Sequence, residues 1–211
     1  MRINETKAKI NIFLQYNIQE MQEQPPQVEP PQELTFREMC RQKVSRKEKH
    51  EYEATRKQYI FTTRFNNGTW EENAKFRAEN NAKCAYFAPN SIPSRVEIGS
   101  KLFVLEMNNE TNQLMGVGLL KNKPQVWKYT AYQDNHYNRV AYLGKYHKTR
   151  EEIIARSDEM RQLWEDLEYF CFKGRGHLKR GRGMTSFPVG TLLNYNRTTN
   201  ITNKLIELFQ K

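Results

Sequence analysis

The chain has little of what cross-links, metallates or anchors a protein. Its 211 residues include three cysteines, Cys40, Cys84 and Cys171, an odd number spread far apart. No pair has the spacing of a zinc site or a redox motif, so reduced, buried thiols are expected, with no metal and no disulfide framework. No apolar run approaches the roughly 18 residues that a membrane span needs. The opening residues, Met1-Arg2-Ile3-Asn4-Glu5-Thr6-Lys7, lack the hydrophobic stretch of a signal peptide. An intracellular protein with no membrane partner is the expectation. Enzyme signatures are missing as well. There is no Gly-x-Ser-x-Gly elbow, no His-Glu-x-x-His and no Gly-Lys-Ser/Thr phosphate loop, and the four histidines stand apart. These absences point to a non-catalytic protein that needs no cofactor. A nuclease is the activity that its charge would otherwise suit.

Acidic residues are scarce where it matters. Lys and Arg number 34 against 24 for Asp and Glu, a net charge of +10. Residues 173–211 carry eight cations against a single acid, Glu207, whereas residues 150–172 are net acidic. A concentrated cationic face attracts polyanions by counterion release and steering; a device for solubility would scatter the charge. The sharpest segment is Lys173-Gly174-Arg175-Gly176-His177-Leu178-Lys179-Arg180-Gly181-Arg182-Gly183, in which four glycines alternate with five cations. Glycine lets a backbone approach a phosphate, while Arg and Lys supply fork-like and point-like donors. Upstream, Trp127, Tyr129, Tyr132, Tyr137, Tyr142 and Tyr146 are interleaved with Lys128, Arg139, Lys145 and Lys148. Recognition of single-stranded nucleic acid uses such rings for stacking and such cations for phosphates. The same alternation also fills one face of an ordinary sheet, and a Gly-rich basic run can be a plain exposed loop.

Along the chain, residues 1–32 read as an arm. Ile10, Phe13, Leu14, Ile18 and Met21 form a helical stripe within 4–22, and four prolines in residues 23–32 make an extended linker. Such an arm can dock on its own domain, on a second copy or on another protein. Residues 33–57 read as a charged helix, capped by Thr35 with Glu38. Strands are expected at 59–65, 83–88, 101–107 and 113–120, the last two forming a hairpin over a five-residue loop, with further strands at 126–132 and 139–146. Gly116 and Gly118 leave one strand face bare, for a bend or for close approach of a backbone, a ring or a ligand. Glu106, within an apolar strand, is expected to bond turn amides. Thr69 with Glu72 caps a short helix, Thr149 with Glu152 opens a helix over 150–172, and Asn200 caps a last one.

From Tyr59 to Asn122 this pattern resembles the PUA-like group, which includes EVE, ASCH and YTH domains. The likeness runs through an aromatic strand ending in Thr62-Thr63, Trp70 at a short helix, Lys101-Leu102-Phe103-Val104-Leu105-Glu106, and a returning strand with Gly116-Val117-Gly118. It implies a compact barrel beside helices and, as in several of those domains, RNA or a modified base bound in an aromatic-lined pocket. No cage-forming tryptophan pair matches, so modified-base recognition does not carry over. Over its whole length the chain also resembles proteins of large DNA viruses of eukaryotes. That likeness implies the host cytoplasm, the nucleus or a virion as its place. It keeps a second role open, a structural or assembly protein whose arm grips a neighbour or a second copy. The expected fold is α+β: a small, curved, mostly antiparallel sheet or barrel with flanking helices in 58–172, followed by a basic loop and C-terminal helix in 173–211. The expected function is non-catalytic binding of RNA or single-stranded nucleic acid. The basic residues Lys173, Arg175, His177, Lys179, Arg180 and Arg182 would act with Trp127, Tyr129, Tyr137, Arg139 and Tyr146.

Overall fold

A strand that is apolar at nearly every position must be covered on both faces, and residues 101–107 read that way. The computed structural model describes Glu38, residues 42–197 and residues 199–210. The expected N-terminal helix, the proline linker and the Thr35 cap lie outside the described residues. In chain order the elements are α1 (Arg46–Thr55), β1 (Gln58–Phe65), α2 (Asn67–Glu79), β2 (Cys84–Ala88), β3 (Lys101–Asn108) and β4 (Gln113–Lys121). They continue with β5 (Val140–Gly144), β6 (Tyr146–Thr149), α3 (Arg150–Ile154), α4 (Asp158–Phe172), β7 (Thr185–Ser186), α5 (Val189–Tyr195) and α6 (Ile201–Leu208).

Five strands form one sheet in the order β6-β4-β3-β1-β7, and β2 pairs with β5 in a second sheet. β1 and β3 run parallel, with Phe61 opposite Val104, while the other pairings are antiparallel. After Gly144 the chain leaves the small sheet and joins the large one as β6. The architecture is α+β and mostly antiparallel, as expected, but the barrel alternative does not hold, because the sheets do not close.

Strand periodicity divides the core in two. Phe103, Leu105 and Met107 of β3 face Leu163, Trp164 and Leu167 of α4 and Leu205 and Leu208 of α6. Leu102 and Val104 face the other way, toward Phe76 of α2, Tyr86 and Phe87 of β2 and Tyr142 of β5. Burying each such leucine or phenylalanine contributes roughly 1.5–3 kcal/mol. The C-terminal segment adds Phe187, Leu192 and Tyr195 to the first of these cores.

Several element boundaries differ from the sequence expectation. The charged helix expected over 33–57 is not continuous: among the described residues Glu38 is helical, residues 42–45 are not, and α1 starts afresh at Arg46 behind its own cap. Ser45 Oγ accepts from the Glu48 amide at 3.1 Å, and Glu48 Oε2 accepts from the Ser45 amide at 2.7 Å. α2 begins two residues before Thr69 because Asn66 is its N-cap. Residues 126–132 form no strand: the Asn138 side chain accepts from the amides of Ala131 and Tyr132 at 3.0 and 3.1 Å and donates to the Tyr132 carbonyl at 2.6 Å. Backbone groups that a ladder would use are thereby committed to one side chain. The expected strand 139–146 splits at Lys145 into β5 and β6, and the helix over 150–172 splits into α3 and α4, where Ser157 caps anew. The Thr149–Glu152 capping box and the Asn200 cap are present.

The bare face at Gly116 and Gly118 is occupied by polar side chains. Glu106 is fully buried; its Oε1 accepts from the Tyr86 hydroxyl at 2.8 Å and its Oε2 lies 2.8 Å from His147 Nε2. The carboxylate therefore pairs with two side chains rather than with turn amides. A Cβ on Gly118 would stand 1.9 Å from the Tyr86 hydroxyl, and one on Gly116 would stand 2.9 Å from His147 Nε2. Burial, reinforced by the Glu106 charge, holds the Tyr86 phenol well above its ordinary value and pushes the Cys84 thiol up to about 12. Gly118→Ala is expected to cost about 3 kcal/mol in urea unfolding, from overpacking alone. The loss should shrink in a Tyr86→Phe background, where the closest contact is gone; purely additive losses would contradict this account of the glycines.

Candidate nucleic-acid interface

The basic segment is tied down from its middle onward. Arg64, near the end of β1, donates from Nε to the Leu178 carbonyl at 2.6 Å and from Nη1 to Thr185 Oγ1 at 2.8 Å. Its Nη1 also lies 3.5 Å from the Gly183 carbonyl. Asn109, in the β3–β4 turn, donates to the Lys179 carbonyl at 3.1 Å, and Lys179 Nζ donates to Asn112 Oδ1 at 2.8 Å. The Leu178 amide bonds the Cys171 carbonyl at 2.8 Å, and β7 then pairs with β1. Burial lowers the pKa of Arg64, and carbonyl oxygens take the place of a carboxylate as its acceptors. Hydrogen bonds of this charge-assisted kind contribute about 1.5–3 kcal/mol each. Two glycines make the approach possible. Gly181 and Gly183 have φ of +147° and +63°, and a Cβ on Gly181 would stand 3.0 Å from Arg64 Cζ.

Beside this stapled loop lies a cleft of about 790 Å³. Gly181 and Gly183 form one side, and Phe65, Tyr132 and Tyr137 supply aromatic surface. Glu71, Glu72 and Asp134 line it as well, and Arg64 is the cation of the lining; the exposed Arg180 and Arg182 flank Gly181 in the chain. Tyr132 is fixed by Asn73, whose Nδ2 lies 3.0 Å from the phenol oxygen. The first turn of α2 also borders the cleft, and two of its amides are engaged: Asn67 N donates to Glu110 Oε2 at 2.9 Å and Thr69 N to Asn66 Oδ1 at 2.7 Å.

Of the residues singled out from sequence, the loop brings Lys173, Arg175, Arg180 and Arg182 to the surface, exposed. Among the described residues, none of these four is in an ion pair. His177 is half-buried, with Nδ1 lacking a hydrogen-bond partner. Tyr137 lines the cleft, whereas Tyr129 is half-buried and packs edge-on against Phe76 at 5.6 Å. Arg139 is exposed. Trp127, 78% exposed, does not line the cleft, and Tyr146, 61% exposed, borders a groove with Lys101 at the opposite end of β3. Sequence reading missed Arg64, Asn109 and the carboxylates of the cleft. For Arg64 the signal was a lone cation inside an aromatic and Thr-rich strand.

No protein-family model, curated protein or solved structure matches the chain. Among the described residues, no three His, Cys, Asp or Glu side chains gather as a metal site, and no helix is long and apolar enough to cross a membrane.

Arg64→Ala is expected to free the loop while leaving β1 in place. Trypsin should then cut within 173–183 at least about tenfold faster, alongside a stability loss of roughly 2–3 kcal/mol from the unsatisfied carbonyls. Cleavage at the wild-type rate, read by mass spectrometry, would mean that the guanidinium is not the staple.

Proposed function

We propose that this protein binds RNA or single-stranded nucleic acid without catalysing a reaction on it, taking an unstacked base into the cleft beside the basic loop. The observation that carries this reading is the stapled loop itself: its Gly181 and Gly183 line a cleft that Tyr137 also lines, and the exposed Arg180 and Arg182, which have no acidic partner among the described residues, flank Gly181 in the chain. Phosphates run along the loop, where Arg180 and Arg182 are exposed, and counterion release there supplies sequence-tolerant affinity. The base lies against the half-exposed Tyr137, which lines the cleft, and such stacking contributes about 1–3 kcal/mol. Glu72 and Asp134 accept hydrogen bonds from N–H donors of the base edge, such as the N3–H of a uracil. The carboxylates also repel the phosphate backbone from the far wall, which fixes the direction of entry. A PUA-like architecture accords with the same reading, since several domains of that group bind RNA.

Charge and stacking can be separated experimentally. Changing Lys173, Arg175, Arg180 and Arg182 together to Ala should flatten the salt dependence of oligouridylate binding by up to about 3 logarithmic units, about 0.7 per lost phosphate contact. Melting should hardly move, because exposed charges contribute little to stability. Tyr137→Ala should cost about 1–3 kcal/mol of affinity and leave the salt slope as it was. Unchanged affinity and slope in both variants would remove the loop and cleft from the function. Purified protein that carries no nucleic acid and self-associates would favour the assembly role instead.

A further inference from the structure

At the other end of the large sheet lies a second groove, of about 300 Å³, with no part in the cleft. Leu119, Leu120 and Leu143 give it an apolar floor, and Lys101, Lys121, Lys123 and Lys145 line it with no Asp or Glu among its lining residues. Lys101 and Lys121 are direct cross-strand partners in the β3–β4 ladder. Like charges placed opposite one another destabilise a sheet. Among the described residues none of the four lysines is in an ion pair. Four lysines without acidic partners around one groove give it a positive potential that favours an anion.

A ring of the lining, with a second exposed ring close to it in the chain, indicates which anion. Tyr146 lines it, and Trp127 follows two residues after Gln125 of the same lining. These two are the aromatic members of a short set of large hydrophobic side chains exposed among the described residues, with Trp127 78% and Tyr146 61% exposed. Burial would normally claim rings of this size. Point-like cations with bare rings beside them are what a single strand uses, phosphates on the lysines and bases on the ring faces.

We propose that this groove is a second contact for single-stranded nucleic acid, separated from the cleft by the length of β3, about 25 Å. The inference rests on the reading of the protein as a nucleic-acid binder, yet it uses none of the residues of the basic loop. A strand held at both ends of the sheet would give the protein a long footprint and an affinity that one site alone does not reach.

Trp127 supplies the readout, because Trp164 is fully buried and Trp70 half-buried. Titration of the full chain with an oligouridylate of about twelve nucleotides, within the usual range of single-strand site sizes, should quench its fluorescence. Trp127→Phe should abolish that quench. Lys121→Glu with Lys145→Glu should weaken affinity by tenfold or more and remove the quench, while Arg180→Ala with Arg182→Ala should lower affinity and leave the quench at saturation. Weaker binding in the loop variant alone, with Trp127 unquenched throughout, would overturn the second contact and leave the cleft standing. Wild-type affinity in both double variants would overturn both. If a glutamate-rich peptide quenched Trp127 and the oligonucleotide did not, the groove would belong to an acidic protein partner and the proposal would fall.

Discussion

The parallel pair β1–β3 cannot face water on either side. Phe61, Val104 and Leu102 need one cover, and Ile60, Phe103 and Leu105 need another. Two helical and strand layers therefore close on the pair from opposite sides, and little of its length stays available for a ligand. What remains are its ends. The C-terminal ends of β1 and β3 open into the cleft, and the N-terminal end of β3 opens into the lysine-lined groove. The position of both candidate sites follows from the same requirement for double burial.

Double burial also explains the polar residues inside. Glu106 points into the core because its strand alternates strictly, and an unpaired carboxylate there would cost several kcal/mol, on the order of a buried broken ion pair. Tyr86 and His147 meet that demand, and the Gly116–Gly118 pair leaves the room they occupy. Arg64 is the counterpart at the edge of the sheet. Its charge is satisfied by carbonyls of the loop that it orders, which joins the stability of β1 to the shape of a surface segment. A cationic loop without such a staple would have to lose more conformational freedom on meeting a phosphate.

Local signals were legible in the sequence; long-range commitments were not. The β3–β4 hairpin, the Thr149–Glu152 box and the Asn200 cap depend on residues a few positions apart, and they appear as read. So does the bare face of Gly116 and Gly118, although its occupants, Tyr86 and His147, come from distant strands. The strand expected at 126–132 failed because Asn138 takes its amides, a tertiary choice that aromatic alternation does not reveal. The candidate stacking set divided for the same reason. Tyr129 turns inward, Tyr137 reaches the cleft, Tyr146 falls at the other end of the sheet, and Trp127 stays exposed outside the cleft. The cations of the loop were evident from composition, but the guanidinium that holds them in place sits more than a hundred residues away.

Amide chemical shifts followed during titration with a short oligouridylate test the central claim most directly. If the stapled loop and cleft form the interface, the perturbed resonances cluster at residues 64–69, at Tyr137 and across 174–183, while amides of α4 and α6 hardly move. Perturbations confined to the helical layer, or spread evenly over every exposed Lys and Arg, would contradict a built site and leave only diffuse charge attraction.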